Sequence, residues 1–287
     1  MSWRTIVISK SAKLDFSMGY LVVRGENTKK VHLGEIYMVI IETTAVSLTA
    51  ALLAELSKRK IKVVFCDEKR NPSSELISYY GSHDTSLKVK MQIDWSDDIK
   101  RAVWTDIVAE KIRKQADHLS DYNKLEAEKL RTYIDELTFG DATNREGHAA
   151  KVYFNALFGM DFTRDDENSI NAALNYGYSL LLSCFTREIV ANGYLTQIGL
   201  FHDNMFNQFN LASDFMEPFR PIVDRKVRNY RFEKFETDEK HIMLGILESE
   251  IMIAGRKEIL TNAVRIYTKS IFDALNQNDC SLIKFYV

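Results

Sequence analysis

The stretch SINAALNYGYSLLLSCFTREIVANG, residues 169–193, decides the fold class of the second half of the chain. Ser169 can cap a first helical turn, and Gly193 can close the end of the helix. Apolar residues lie almost all round this helix, which is typical of a helix at the centre of a bundle. Helical spacing continues from the polar passage GSHDTSLKVK (81–90) to about Leu275, so we predict a helical C-terminal part.

The N-terminal part carries a different pattern, with short β-branched and aromatic runs that predict strands. These runs are TIVIS (5–9), YLVVR (20–24), KKVHLGEIYMVIIE (29–42), IKVVFC (61–66) and ELISYY (75–80). One amphipathic helix is expected over residues 47–58, and EKHIMLGILESEIMIAGRKEILTNAVRIYTKSIFDAL (239–275) is expected to form about two helices. The sequence therefore predicts an α+β chain: a small β-rich N-terminal domain of residues 1–85, followed by a larger all-α C-terminal domain of residues 86–287.

Composition limits the function classes. With 287 residues, 46% of them hydrophobic, and three prolines, the chain can fill more than one core and is expected to be ordered. Its three cysteines are too few and too scattered for a disulfide framework or a zinc site, which favours a reducing cytoplasm. The longest apolar run, near residues 178–185, is too short to span a bilayer, so we expect no membrane role.

One histidine stands near two acids in a way that favours a metal site. His202 in GLFHDN is followed by Asp214 and Glu217, which are three residues apart and would share one helix face. Two such carboxylates repel each other unless a cation lies between them. Pro218 and Pro221 predict a corner between two helices at this point. From spacing alone, the competing interpretation is that one histidine and two acids stand near each other by chance.

A basic stretch follows these acids. The net formal charge of −2 does not decide whether the chain binds nucleic acid, because recognition depends on where the charge lies. Between residues 220 and 234, six cations face only Asp224 and Glu233. This excess favours either phosphate contacts or a solvated helix face.

Three dispersed segments together resemble a known family: EGHAAKVYF (146–154), GLFHDN (199–204) and DFMEPFRPIVD (214–224). In order and spacing they are similar to the CRISPR-associated integrase family, that of the first CRISPR-associated protein (Cas-one). The opening SKSAKLDFSMGYLVVR (9–24) is most similar to the type II-A branch. The resemblance implies an enzyme that joins the 3′-OH ends of a prespacer to the CRISPR repeat by transesterification and can also cut DNA.

The resemblance also implies which residues act. It assigns catalysis and the metal, Mg²⁺ or Mn²⁺, to Glu146, His202 and Glu217, with Asp214 as a supporting or alternative ligand. Many family members have Asp at the position of Glu217, so the shares of Asp214 and Glu217 stay open. DNA phosphate contacts are expected from cations near these segments: Arg145, Lys151, Arg220, Arg225, Lys226, Arg228 and Arg231.

The partners implied by the family are double-stranded DNA, a second copy of the chain in a homodimer, and the small second CRISPR-associated protein (Cas-two). Other type II-A adaptation proteins and the effector nuclease are further expected partners. Two other functions stay open at this point: a general metal-dependent nuclease that uses water, and a non-catalytic DNA-binding or assembly subunit.

Overall fold

The computed structural model describes residues 3–79 and 81–287. Tyr80, the last residue of the predicted ELISYY strand, lies outside the described residues, as do Met1 and Ser2. The chain forms two compact units, one of Met1–Thr85 with Val190–Gly193 and one of Ser86–Ile189 with Tyr194–Val287.

The described residues of the first unit form two four-stranded sheets and the helix Ala50–Lys58. Its elements are β1 (Arg4–Ile8), β2 (Ala12–Ser17), β3 (Tyr20–Arg24), β4 (Thr28–His32), β5 (Ile36–Ile41), β6 (Val46–Leu48), α1 (Ala50–Lys58), β7 (Lys62–Cys66) and β8 (Pro72–Leu76). The strand orders are β1-β5-β7-β8 and β4-β3-β2-β6. All six residues of β5 are buried, as expected for a strand between two parallel neighbours.

Several predicted elements of the first unit differ in the structure. The strand expected over ELISYY (75–80) corresponds to β8, which begins earlier, at Pro72, and ends at Leu76. The run KKVHLGEIYMVIIE is interrupted by a 3-10 turn at Leu33–Glu35, so it forms β4 in one sheet and β5 in the other. The predicted helix over 47–58 begins later, because Thr49 caps it by accepting a hydrogen bond from the Leu52 N–H at 3.3 Å. Leu52 and Leu56 then bury one helix face in the core of this unit.

The second unit is mainly helical. Its elements are α2 (Thr85–Ile93), α3 (Asp97–Ser120), α4 (Glu126–Asp135), α5 (Arg145–Phe158), α6 (Ser169–Ala191), α7 (Asn210–Met216), α8 (Arg220–Tyr230), α9 (Thr237–Leu244), β9 (Glu250–Ile253), β10 (Arg256–Ile259) and α10 (Leu260–Gln277). The buried residues of α6 occupy all its sides, so the prediction of a central helix is confirmed. Among the described residues, no helix has both the length and the apolar composition needed to cross a membrane.

Two features of the second unit were not expected. Ser169 does not cap α6, because its hydroxyl donates to the Phe232 carbonyl; Asn168 accepts the hydrogen bond from the Asn171 N–H at 2.8 Å instead. The unit also contains one antiparallel hairpin, β9–β10, within a stretch predicted to be helical. Ala254 and Gly255 both adopt positive φ, at 50° and 74°, which suits the tight turn of a hairpin.

Candidate active site

Glu146 lies in the first turn of α5, and two side chains hold the start of that helix. The Asn144 side chain accepts a hydrogen bond from the Gly147 N–H at 3.3 Å. The buried Asp141 carboxylate accepts from the N–H groups of Arg145 and Glu146, at 2.7 and 3.1 Å. Because these caps fix the backbone of the first turn, they also fix the point from which the Glu146 side chain projects.

Glu217 lies at a corner between two helices. The chain passes from α7 through a 3-10 turn, Glu217–Phe219, into α8, with Pro218 and Pro221 at the starts of the two later segments. The Glu217 side chain is buried, and its Oε1 accepts a hydrogen bond from Arg220 Nε at 2.8 Å. The corner therefore presents a carboxylate that is already paired with a guanidinium of the next turn.

Lys111 on α3 joins the two glutamates. Its buried ammonium donates hydrogen bonds to Oε1 of Glu146 and Oε2 of Glu217. Burial alone would raise the pKa of Glu217, but Arg220 and Lys111 together lower it to about 2. Burial acts to lower the pKa of Lys111, yet Glu217 and Glu146 raise it above its ordinary value. Glu217 and Lys111 are therefore both charged at neutral pH.

His202 is oriented by Asp214. The Nδ1 atom of His202 lies 2.5 Å from Oδ1 of the fully buried Asp214, and this hydrogen bond raises the pKa of His202 while burial opposes it. The other oxygen of Asp214, Oδ2, accepts from the N–H groups of Leu200 and Phe201 at 2.6 and 3.1 Å. With Nδ1–H donating to a carboxylate, the Nε2 lone pair is left available as a ligand.

Gly199 is needed where the loop wraps around Asp214. A Cβ atom at this position would lie 2.3 Å from the His202 carbonyl oxygen and 2.8 Å from Oδ2 of Asp214. Both distances are below any normal contact, and the first involves the backbone. Only glycine therefore fits the loop that carries His202.

The donor set suits a hard divalent cation. Two carboxylates and one imidazole match the ligand preferences of Mg²⁺ and Mn²⁺. A cationic group, the Lys111 ammonium, already lies between Glu146 and Glu217, and the charges of both glutamates also raise the pKa of His202. With Lys111 in this position, no three His, Cys, Asp or Glu side chains of the described residues are grouped closely enough to hold one ion.

A buried polar chain extends behind the site. The Arg220 guanidinium lies 4.6 Å from the centre of the Tyr178 ring, and the Tyr178 hydroxyl donates to Asp224. Burial raises the pKa of Asp224 to about 6, although the Tyr178 hydrogen bond acts to lower it. Deeper in the unit, the Tyr153 hydroxyl lies 2.6 Å from Nδ1 of His118, and burial lowers the pKa of His118 to about 3.

Comparison with known proteins places the chain in a family. The sequence model of the family "CRISPR associated protein Cas1" matches residues 5–261. The chain belongs to the Cas1 family. One Cas1 relative, the CRISPR-associated endonuclease Cas1 of Neisseria meningitidis serogroup C (strain 8013), is 39% identical over 230 residues, which are 79% of this chain and 75% of that protein.

Solved structures share the fold of this Cas1-family chain. A casposase bound to integration product superposes with a TM-score of 0.79 at 16% identity, covering 98% of this chain and 92% of that one. A chain of a Cas6-RT-Cas1–Cas2 complex gives a TM-score of 0.76 at 17% identity, with 98% of this chain and 36% of that chain covered. This chain thus spans about a third of that larger relative. The predicted family and fold class are confirmed.

The predicted phosphate contacts of the Cas1-family chain do not form one cluster. Around α8, the Arg225 guanidinium pairs with Asp121, and Arg228 lies 5.3 Å from the Tyr122 ring centre, both beside the end of α3. On a different side of α8, the Lys226 ammonium lies 5.1 Å from the Tyr230 ring centre. The single basic run in the sequence is therefore spread over more than one side of its helix.

The other cations predicted to contact phosphate differ in whether they pair with side chains of the chain itself. Arg145 pairs with Glu136 at 3.0 Å and lies 5.4 Å from the centre of the Tyr133 ring. Lys151 and Arg231 are exposed, and Arg231 ends α8 in a left-handed conformation. Arg220 faces inward to Glu217, so its charge acts mainly on that carboxylate.

Sequence reasoning about this Cas1-family chain missed Lys111 and Asp141. Lys111 stands among Glu110, Arg113 and Lys114 in α3, so the sequence gives no signal that separates it from an exposed charge. Asp141 had a weak signal, because an acid shortly before a predicted helix start is a common cap. The sequence predicts Asp214 as a supporting or alternative metal ligand, whereas in the structure both of its oxygens accept hydrogen bonds from the His202 loop.

Proposed function

We propose that the chain is a divalent-metal-dependent DNA integrase and endonuclease of CRISPR adaptation, which joins prespacer 3′-OH ends to the repeat by transesterification. The observation that carries this proposal is the shared cation position: two carboxylates, Glu146 and Glu217, hold one ammonium, and the oriented imidazole of His202 completes the donor set. Membership of the Cas1 family and the likeness in fold to an integration complex of a casposase support it.

Each side chain has a defined task in this proposal. Glu146, Glu217 and the Nε2 atom of His202 would hold Mg²⁺ or Mn²⁺, and Asp214 would orient the imidazole rather than bind the metal itself. A bound divalent cation supplies Lewis acidity at a scissile phosphate. The ammonium of Lys111 would have to leave its position between the glutamates to make room for the metal, and it would then be free to pair with a phosphate oxygen.

The reaction itself is a balanced exchange of phosphodiester bonds. The oxygen of a prespacer 3′-OH forms a bond to phosphorus, the bond from phosphorus to the repeat 3′ oxygen breaks, and the proton of the attacking hydroxyl ends on the leaving oxygen. No covalent intermediate with the protein is required. Arg145, Lys151, Arg225, Lys226, Arg228 and Arg231 would position the duplex through its phosphates without reading sequence.

We also propose partners for this chain. The structural relatives include a Cas1–Cas2 complex, so we infer that this chain acts in the cytoplasm as a homodimer with a small Cas2 protein and double-stranded DNA. The resemblance of the N-terminal opening to type II-A relatives extends this to other adaptation proteins of such systems, including the effector nuclease.

A joining assay tests the proposal. A labelled prespacer is incubated with a plasmid that carries the repeat, with each divalent cation in turn, and joined and shortened strands are separated on a gel. Glu146→Ala, His202→Ala and Glu217→Ala should abolish joining while DNA binding persists. The exposed His148 on α5 gives a matched control, because His148→Ala removes an imidazole outside the site.

The other outcomes are equally informative. Shortened strands without joined ones would identify a hydrolytic nuclease instead of an integrase. Joining at the wild-type rate by Glu146→Ala or His202→Ala would overturn the assignment of the site. DNA binding with neither product, under every metal and with the partner protein present, would identify a non-catalytic assembly subunit.

A further inference from the structure

Phe201 is an exposed aromatic residue whose ring packs face to face against a buried aromatic ring. It is 54% exposed, although it stands next to His202 in the loop around Asp214. Its ring stacks on Trp104 of α3, with centroids 4.6 Å apart and planes only 4° from parallel. Trp104 is 1% exposed, so it supports Phe201 from the inner side and leaves the outer face of the ring to solvent.

A cavity of about 470 Å³ lies beside this ring. Phe201 and His202 line one part of it, and Lys100 and Arg101 at the start of α3 line another. Lys100 pairs with Asp97 at 2.6 Å, and this contact, with a smaller contribution from the Arg101 charge, lowers the pKa of the Asp97 carboxyl. Asp97 and Asp203 are the acidic residues of the lining. The volume falls within the range of roughly 300–1,000 Å³ that is common for small-molecule sites.

The cavity combines the two chemistries that single nucleotides need. An aromatic face stacks on any base, and a guanidinium or ammonium contacts the phosphate beside it. The imidazole of His202 meets the Phe201 ring edge-on, with centroids 5.7 Å apart, so the cavity adjoins the residues assigned to the reaction. A nucleotide stacked on Phe201 would thus lie next to the phosphate that reacts.

We propose that Phe201 is a base-stacking platform, and that the cavity between Phe201 and Arg101 holds the nucleotide adjacent to the scissile phosphate. This proposal rests on the proposed DNA-joining function and names the element that positions its substrate. Trp104 sets the tilt of the platform from below, because its ring is fixed in the core of the second unit. Arg101 contacts the phosphate on the far side of the stacked nucleotide.

A purely structural role for Phe201 makes a different prediction. If the ring only covered Trp104, its loss would lower stability and leave the response to the DNA base unchanged. Stacking of a base on an aromatic side chain contributes enough affinity that its loss weakens binding by roughly tenfold. The two roles are therefore separated by changing the base as well as the protein.

The test uses branched integration-intermediate DNA with 2-aminopurine at each of the two positions that flank the joined phosphate. Stacking on Phe201 should quench the fluorescence of 2-aminopurine at one of these positions in the wild-type complex. Phe201→Leu should restore the fluorescence and weaken binding about tenfold, and Phe201→Tyr should behave as the wild type. Phe206→Leu is the matched control, because Phe206 is an exposed ring of the same segment that stacks on no ring of the described residues.

An abasic nucleotide at the quenched position completes the test. With the base absent, Phe201→Leu and the wild-type protein should bind equally well. Quenching that is unchanged in Phe201→Leu, or an equal loss in Phe206→Leu, would overturn the platform. These readouts need no joining, so a protein that binds and quenches without joining strands contradicts the proposed reaction and leaves the platform intact, whereas joining without quenching contradicts only the platform.

Discussion

Lys111 and Glu217 form a buried ion pair that also includes Glu146, so a single ammonium bridges two carboxylates from separate segments of the chain. The pairing brings together residues 106 positions apart in the sequence. Because two carboxylates that share one ammonium repel each other when that cation is removed, Lys111 stabilises this part of the second unit. A divalent metal at the same position would oppose the repulsion with more charge.

Lys111→Met should destabilise the metal-free protein, because the substitution removes the ammonium between Glu146 and Glu217 and leaves Arg220 as the only cation hydrogen-bonded to Glu217 among the described residues. Removing one partner of a buried pair costs about 3–5 kcal/mol. We expect Mn²⁺ to restore more stability to this variant than to the wild type. Urea unfolding with a chelator and with Mn²⁺ measures both effects, with exposed Lys151→Met as the control. Equal stability of Lys111→Met and the wild type in the chelator would contradict the ion-pair assignment.

Asp214→Asn should weaken metal binding without removing any ligand. The Asn side chain keeps the size of Asp214 but offers one acceptor oxygen instead of two, so it cannot serve both the His202 ring and the loop N–H groups. Losing such an orienting partner typically lowers metal affinity about 10–100-fold. Titration calorimetry with Mn²⁺ gives the affinity directly. An affinity equal to that of the wild type would show that His202 is oriented by other groups.

Gly199→Ala should disturb the loop that carries His202. The added Cβ atom would clash with the His202 carbonyl oxygen and with Asp214, so the loop must move. We expect a loss of stability of about 1–3 kcal/mol, as in other overpacked sites, together with loss of strand joining. Gly25→Ala is the control, since the nearest atom to its Cβ would be Ser11 O at an ordinary 3.5 Å. Normal joining by Gly199→Ala would show that the loop tolerates the shift.

His118 should make the protein sensitive to mild acid. Its pKa is about 3 in the folded chain because of burial, and about 6.5 when unfolded. Below pH 6.5 this imidazole therefore binds a proton in the unfolded state but not in the folded state. The free energy of unfolding consequently falls as the pH drops. Between pH 7 and pH 5 this group alone should cost about 2 kcal/mol. Unfolding free energies of the wild type and His118→Asn at both pH values test this, and identical pH slopes would contradict it.

The polar motifs of the sequence predicted three residues of the candidate site. Residues whose contacts are distant in the sequence could not be predicted in this way. Glu146, His202 and Glu217 were assigned because their segments resemble a family, and their role as the site stays a prediction. Lys111 could not be predicted, because its role depends on packing α3 against two segments 35 and 106 residues away. Asp214 has the residue type of a metal ligand, and only the folded loop reveals that N–H groups and an imidazole occupy its oxygens.

For the fold, too, elements with a clear local pattern could be predicted and others could not. Periodicity predicted the central helix α6 and the β-rich first unit, since burial on one or all faces leaves a local pattern. The β9–β10 hairpin was not predicted, because each of its strands has only four residues. An alternation of polar and apolar residues over so short a stretch cannot be distinguished from a helical pattern. The turn residues Ala254 and Gly255 were the available signal.

Helix α6 begins in the second unit and ends in the first, which includes Val190–Gly193. The residues of the first unit are therefore not contiguous in the sequence. A chimaera that exchanges the N-terminal unit between relatives must carry these four residues with it, because the carbonyl of Ala191 accepts a hydrogen bond from Lys60 at 3.0 Å.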